Sequence, residues 1–228
     1  MLIYKLGSFS LMPALPLGER LKRRTHRAIA LSQDVLMLSV YDRLPSAVLH
    51  GGTAIWRCYG SARFSEDIDI YLPPRSRKQL SSRFLEDVKR KGMEVEKFKI
   101  GERALLAKFV YLGVSVRLEA AFDDVKGAIV RPFEMTDGTS MMVNTLSAEG
   151  LLAEKVAAYR IRRKVRDLYD ISFLLNLVEE GSRVRGPLLS LLDGFQPPVD
   201  EREIRALIIW GAVPKVEDMV EGIRRWAR

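Results

Sequence analysis

A change of texture near residue 145 constrains the fold of this chain more than any other feature. From Met93 to Asn144, five short stretches (94–100, 104–112, 114–122, 128–135 and 140–144) read as strands separated by Gly or Asp. After Thr145 helical signals run to the end. Ser147 is placed to cap a helix over 148–160, and 165–179, 187–193, 201–210 and 215–227 follow. Strands grouped together, then helices grouped together, predict an α+β chain with a mixed β-sheet flanked by helices. The boundary then falls at 145: residues 1–145 form a core with an N-terminal helix, and 146–228 a helical C-terminal lobe.

Before residue 93 the periods alternate. Residues 18–43 read as one long helix, with Leu21, Ala28, Leu31, Val35 and Leu38 at helical spacing. Ala47–His50 reads as a short strand, Thr53–Tyr59 as a helix, and 76–91 as a helix ended by Gly92. Between them Ile68, Ile70 and Leu72 alternate with Asp67, Asp69 and Tyr71, a strand with two distinct faces. Trp56, Trp210 and Trp226 read as packing residues on helices, and Cys58 as a small buried apolar residue.

The alternation puts Asp67 and Asp69 on one face of one strand. Two carboxylates held that close repel unless a cation lies between them. Oxygen ligands of this kind select Mg²⁺ or Mn²⁺, and Mg²⁺ completes its shell with water and substrate phosphate. Gly51 and Gly52 supply the complement. Glycine lets backbone N–H groups approach a phosphate, and the start of the following helix favours negative charge. Thr53 at that start adds a hydroxyl donor, and Arg63 and Ser65 are placed to shape the pocket. His50, just before the glycines, reads as a packed strand end with no assigned role.

Gly51-Gly52-Thr53-Ala54, followed by Arg63-Phe64-Ser65-Glu66-Asp67-Ile68-Asp69, resembles the signature of the polymerase-β-like nucleotidyltransferases. More narrowly, it resembles the AbiEii/AbiGii-type nucleotidyltransferase toxins of toxin–antitoxin systems. Their second signature has its counterpart in Glu154-Lys155-Val156-Ala157-Ala158-Tyr159-Arg160 and then Arg166-Asp167-Leu168-Tyr169-Asp170-Ile171. The resemblance covers about residues 45–175, in two blocks in the right order. It implies a polymerase-β-like core whose C-terminal lobe completes the active site. It also implies transfer of a nucleoside monophosphate from an NTP to an acceptor hydroxyl, with a cognate antitoxin as partner and the tRNA 3′ end as acceptor.

The resemblance further implies residue roles. A third carboxylate should come from a later strand, and Glu119 in the apolar run Arg117–Phe122 is the candidate, with Asp123 and Asp124 the alternative. Asp67, Asp69 and Glu119 would be the metal ligands. Lys155 would contact nucleotide phosphates, and Gly51, Gly52, Thr53, Ser65 and Asp167 would complete the nucleotide site. Asp167 and Asp170 are three apart and share a helix face, so either one could orient Lys155; Asp167 carries more weight.

The formal net charge of +8 suits an anionic partner. Within the basic stretches Lys22–Arg27 and Arg160–Arg166, Arg160, Arg162, Arg163 and Lys164 are the candidates for contacting RNA. A single cysteine excludes a disulfide framework, and with two histidines it excludes structural zinc. The apolar run Leu6–Leu17 is short, is broken by Pro13 and Pro16, and lacks a good cleavage site. No stretch reaches the roughly 18 apolar residues of a membrane span. A cytoplasmic protein is expected. Two other readings are a nucleotidyltransferase acting on a protein or small molecule, and a non-catalytic nucleotide-binding module.

Overall fold

The computed structural model describes residues 15–80 and 82–228. Most of the apolar run Leu6–Leu17 lies outside the described residues. The strands β1 (Val48–His50), β2 (Ile68–Leu72), β3 (Glu94–Ile100), β4 (Ala104–Tyr111), β5 (Val114–Phe122), β6 (Ile129–Glu134) and β7 (Ser140–Thr145) form a seven-stranded sheet in the order β3-β4-β5-β2-β1-β7-β6. The β5–β2 and β1–β7 pairings are parallel and the other neighbours antiparallel. The expected mixed sheet is therefore present.

Its helices are α1 (Leu17–Arg20), α2 (Arg24–Arg43), α3 (Gly51–Tyr59), α4 (Ser82–Arg90), α5 (Ala148–Arg162), α6 (Val165–Leu174), α7 (Gly181–Leu192), α8 (Ile204–Leu207) and α9 (Val216–Ala227). Ser147 caps α5 as expected, its hydroxyl accepting from the Gly150 N–H at 3.3 Å. The apolar core runs across residue 145 without a break: Leu49, Ile70 and Leu118 of the sheet share it with Leu152, Val156 and Leu168 of the helices.

Several elements differ from the expectation. The helix over 18–43 is broken, because Leu21 turns extended and buries its side chain in a separate cluster with Trp56 and Phe64. Its buried face is also not the expected one. Leu31 and Leu38 are exposed, while Ser32, Gln33, Leu36, Met37 and Val40 are buried. The stretch 76–91 divides into a 3-10 turn, Pro74–Gln79, and α4. The helix expected over 187–193 starts at Gly181, with Pro187 in its interior, and 165–179 shortens to α6 plus a single 3-10 turn. Of 201–210 only a 3-10 turn and α8 are helical, so Trp210 lies past the helix, where Arg20 stacks over its ring.

The polar side of α2 fixes the segment that leads into β2. Gln33 donates from Nε2 to the carbonyls of Ser65 and Glu66 at 2.9 and 3.0 Å. Its neighbour Asp34 pairs with the buried Arg57 of α3 and accepts from Thr136 N and Oγ1 at 2.8 and 2.6 Å. Buried polar groups satisfied this fully hold one backbone arrangement, because displacing any one of them strands the others without partners.

Candidate active site

Strand β1 ends at His50, and the chain turns directly into α3 through Gly51, whose φ of 69° lies in the left-handed region. A Cβ at Gly51 would collide with the Asp69 carboxylate, since β1 and β2 are paired with His50 opposite Asp69. At Gly52 it would collide with the Arg63 guanidinium and approach the Ser65 hydroxyl oxygen to 2.6 Å. Both glycines are thus required by close approach to the residues of the neighbouring strand and its lead-in.

Beside β2, the parallel β5 places Glu119 opposite Asp69. Along β5 Val116, Leu118 and Ala120 face the core, which leaves Arg117 and Glu119 on the outer face. Helices α5 and α6 close the other side. One cavity of about 260 Å³ is lined by Gly52, Arg63, Ser65, Asp67, Asp69, Arg117, Glu119, Lys155, Arg162 and Arg166. It draws on both sequence blocks, although about ninety residues separate Ser65 from Lys155 in the chain. Larger hollows lie elsewhere, lined by residues such as Lys164 and Lys215, but none of them contains the paired carboxylates.

The expected residues do not all reach the cavity. Gly52, Ser65, Asp67, Asp69, Glu119 and Lys155 line the cavity. Gly51 sits behind Asp69. Thr53 does not reach it: it is wholly buried and donates its hydroxyl to the carbonyl of Asp67, so it ties α3 to β2 instead of offering a free donor. Asp123 and Asp124 are exposed beyond the end of β5, with Arg75 near Asp124, away from the cavity. Of these carboxylates, Glu119 lines the cavity and Asp123 and Asp124 do not.

Behind the cavity lies a buried charge cluster. Lys155 Nζ is 2.8 Å from Asp170 Oδ2 and 3.6 Å from Asp167 Oδ1. Asp170 also receives both arms of Arg63, at 2.6 and 2.8 Å, and Asp167 both arms of Arg162, at 2.7 Å each. Asp170, not Asp167, is therefore the nearer partner of Lys155. Asp167 is fully buried, with its oxygens engaged by Arg162 and Lys155. The RNA candidates separate as well. Arg162 belongs to the cavity, Arg163 pairs with Gln196, Lys164 lies 3.4 Å from Asp200, and Arg160 is exposed.

Burial pushes the Asp69 carboxyl above its ordinary range; His50 and Lys155 oppose that shift, and the Asp67 carboxylate adds to it. His50 does more than pack. Its Nδ1 lies 3.1 Å from Glu154 Oε2, its ring stacks on Tyr71, and the Tyr71 hydroxyl donates to Glu154 Oε1 at 2.7 Å. This bonding fixes the helix bearing Lys155 against β1 and β2.

Arg117 is a cavity residue that the sequence reading passed over. It donates to Asp67 through both arms, at 2.8 and 2.5 Å. The signal was present: Arg117 stands two residues before Glu119, on the same strand face. Arg166, the first residue of the Arg-Asp-Leu-Tyr-Asp segment, also lines the cavity, although the sequence reading assigned it no role of its own.

Among the described residues, no group of three or more His, Cys, Asp or Glu side chains is gathered as a ready metal cage. The donor set still fits a hard cation in kind, because Asp67, Asp69 and Glu119 offer only oxygen and line one cavity. Magnesium is commonly held by one or two carboxylates together with substrate phosphates, without an all-protein cage.

The model of the family described as "Nucleotidyl transferase AbiEii toxin, Type IV TA system" matches residues 37–196. The fold is similar to that of JHP933 from Helicobacter pylori, at 19% identity and a TM-score of 0.56, over 87% of this chain and 90% of that one. It is similar also to MenT4, a nucleotidyltransferase toxin from Mycobacterium tuberculosis, at 17% identity and a TM-score of 0.56, over 89% of this chain and 87% of that one. At such identities the likeness speaks for the fold. No curated protein matches the sequence.

Proposed function

Because the chain belongs to the AbiEii family of nucleotidyltransferase toxins, we propose that it transfers a nucleoside monophosphate from an NTP to RNA, at the 3′ end of tRNA, in the cytoplasm. The observation that carries this reading is the single cavity joining the glycine turn, the carboxylates of β2 and β5, and Lys155. Helix α3 opens onto that cavity, so the Gly52 backbone and the Ser65 hydroxyl can receive phosphate oxygens. Lys155, held rigidly by Asp170, presents its ammonium to the outer phosphates.

Asp67, Asp69 and Glu119 would hold Mg²⁺ or Mn²⁺. When bound, the ion neutralises triphosphate charge and favours departure of pyrophosphate. The protein's part is to fix the triphosphate so that an acceptor oxygen bonds to the α-phosphorus as the bond to the β-phosphate breaks. Positioning and charge stabilisation supply most of the rate in such transfers. A toxin of this type requires control, and a cognate antitoxin is the proposed partner.

The test is incubation with each α-labelled NTP, a divalent ion, and either total RNA or total protein. Label on tRNA is the expected result. Label on protein would move the acceptor to a protein hydroxyl, and NTP binding without transfer to any acceptor would leave a binding module.

Lys155→Ala should weaken NTP binding roughly tenfold and NMP binding much less, since the lost contact is to the outer phosphates and charge-assisted hydrogen bonds are worth about 1.5–3 kcal/mol. Equal losses in a titration with both ligands would place Lys155 elsewhere. For the acceptor, Arg160 and Arg163 are the cations to test, because Arg162 is committed to Asp167. Replacing both with Gln should flatten the slope of log affinity for tRNA against log salt by about two units, one for each lost phosphate contact. An unchanged slope would take this surface out of the RNA path.

A further inference from the structure

From the contact between Arg117 and Asp67 we infer that Arg117 is a substrate-binding residue that holds the metal position of Asp67 in the free protein and transfers to the triphosphate when the metal and nucleotide bind. The inference rests on the reading of Asp67 as a metal ligand. It goes beyond that reading by giving Arg117 two successive partners.

Three observations carry it. The pairing is end-on and complete: both carboxylate oxygens of Asp67 are taken by the two arms of one guanidinium. A divalent ion that uses either oxygen must therefore compete with Arg117. The two side chains also differ in exposure, 58% for Arg117 against 27% for Asp67, so the arginine is the partner free to leave. Lastly, Arg117 lines the same cavity as Gly52, Ser65 and Lys155.

The charges require such an exchange. Asp67, Asp69 and Glu119 bring three carboxylates to one cavity, and an unpaired cluster of that kind is unfavourable. Arg117 relieves it when no cation is bound. Once a divalent ion sits on Asp67, the guanidinium faces a positive charge where it had a negative one, while the incoming triphosphate offers several anionic oxygens nearby. Guanidinium geometry suits two phosphate oxygens as well as it suits a carboxylate. Of the other cavity cations, Arg63, Arg162 and Lys155 are anchored to buried aspartates, while Arg166 is exposed. Arg117 is paired instead to a proposed metal ligand.

The test uses the full chain and two separate titrations of Arg117→Gln. Mn²⁺ binding followed by electron paramagnetic resonance, with no nucleotide present, should tighten about threefold to fivefold, because the competitor has gone and pairs of this exposure are weak. Binding of each ribonucleoside triphosphate at saturating Mn²⁺ should weaken roughly tenfold, because a bidentate phosphate contact has gone. Arg117→Lys keeps the charge without the fork, and should fall between wild type and Gln in both titrations. Mn²⁺ affinity that is unchanged or reduced in Arg117→Gln overturns the inference, as does tighter Mn²⁺ binding with undiminished NTP affinity. Asp67→Asn separates the two layers of argument. If it abolishes Mn²⁺ binding while Arg117→Gln has no effect, the metal reading stands and only the exchange fails. If it leaves Mn²⁺ binding intact, the metal reading itself fails.

Discussion

Asp67→Asn should reduce nucleotidyl transfer by about a thousandfold while leaving the protein folded. The substitution keeps the shape of the side chain and removes the charge that a divalent ion needs. Loss of one metal ligand takes away part of the several kcal/mol that a metal contributes in the transition state, and each 1.36 kcal/mol is a factor of ten. The stability cost is small for two reasons. The lost partner, Arg117, is more than half exposed, and such pairs contribute at most about 1 kcal/mol. Neutralising Asp67 also relieves repulsion at Asp69, whose carboxyl it helps to push upward. Single-turnover transfer from a labelled NTP, beside a thermal melt of the same sample, checks both halves. Near-normal transfer would show that the carboxylate pair is not the centre of the chemistry. A collapsed melt would show instead that Asp67 has a structural role.

Asp67 and Asp69 were legible because strand alternation is local: a period of two fixes which residues share a face, whatever the rest of the chain does. The same rule placed Glu119, once the resemblance required a third carboxylate. The roles of Thr53 and Asp167 were not legible. Whether a hydroxyl beside a glycine turn is a free donor depends on what lies next to it, and the Asp67 carbonyl lies next to Thr53. Whether Asp167 or Asp170 meets Lys155 depends on the packing of α5 on α6 and on Arg63 arriving from a loop about a hundred residues earlier. The face of α2 was misread for a related reason. Apolar spacing pointed to Leu31, Val35 and Leu38, yet the helix buries Ser32, Gln33 and Asp34, with Gln33 bonded to the loop before β2 and Asp34 to Arg57 and Thr136. The buried face keeps Leu36, Met37 and Val40 at helical spacing but carries polar groups in the same stripe, which apolar spacing alone does not register.

That network of buried charge supports the second large effect. Asp170→Asn should destabilise the protein by about 3–5 kcal/mol, since removing one member of a buried ion pair leaves its partners charged and uncompensated. Two partners are stranded here, Arg63 through both arms and Lys155 at 2.8 Å, and Asp170 is fully buried. In a chain of this size that loss should lower Tm by roughly 10 °C. The pH dependence follows from the same contacts. Burial by itself would raise the Asp170 carboxyl, but the charges of Arg63 and Lys155 more than reverse that and hold it below the ordinary carboxylate range. A carboxyl whose folded value is depressed binds fewer protons in the folded than in the unfolded chain. Its contribution is therefore complete above the ordinary value near pH 4, and fades as pH falls through the folded value. The wild type should lose this part of its stability on acidification, and Asp170→Asn, having nothing there to titrate, should show a shallower fall of Tm below about pH 4. Glu96→Gln is the control, because its pairing with Lys108 lies on the exposed surface of β3 and its loss should leave Tm unchanged. If Asp170→Asn melts with wild type at pH 7, the cluster is not holding α5, α6 and the Arg63 loop together. Lys155 would then need another source of rigidity.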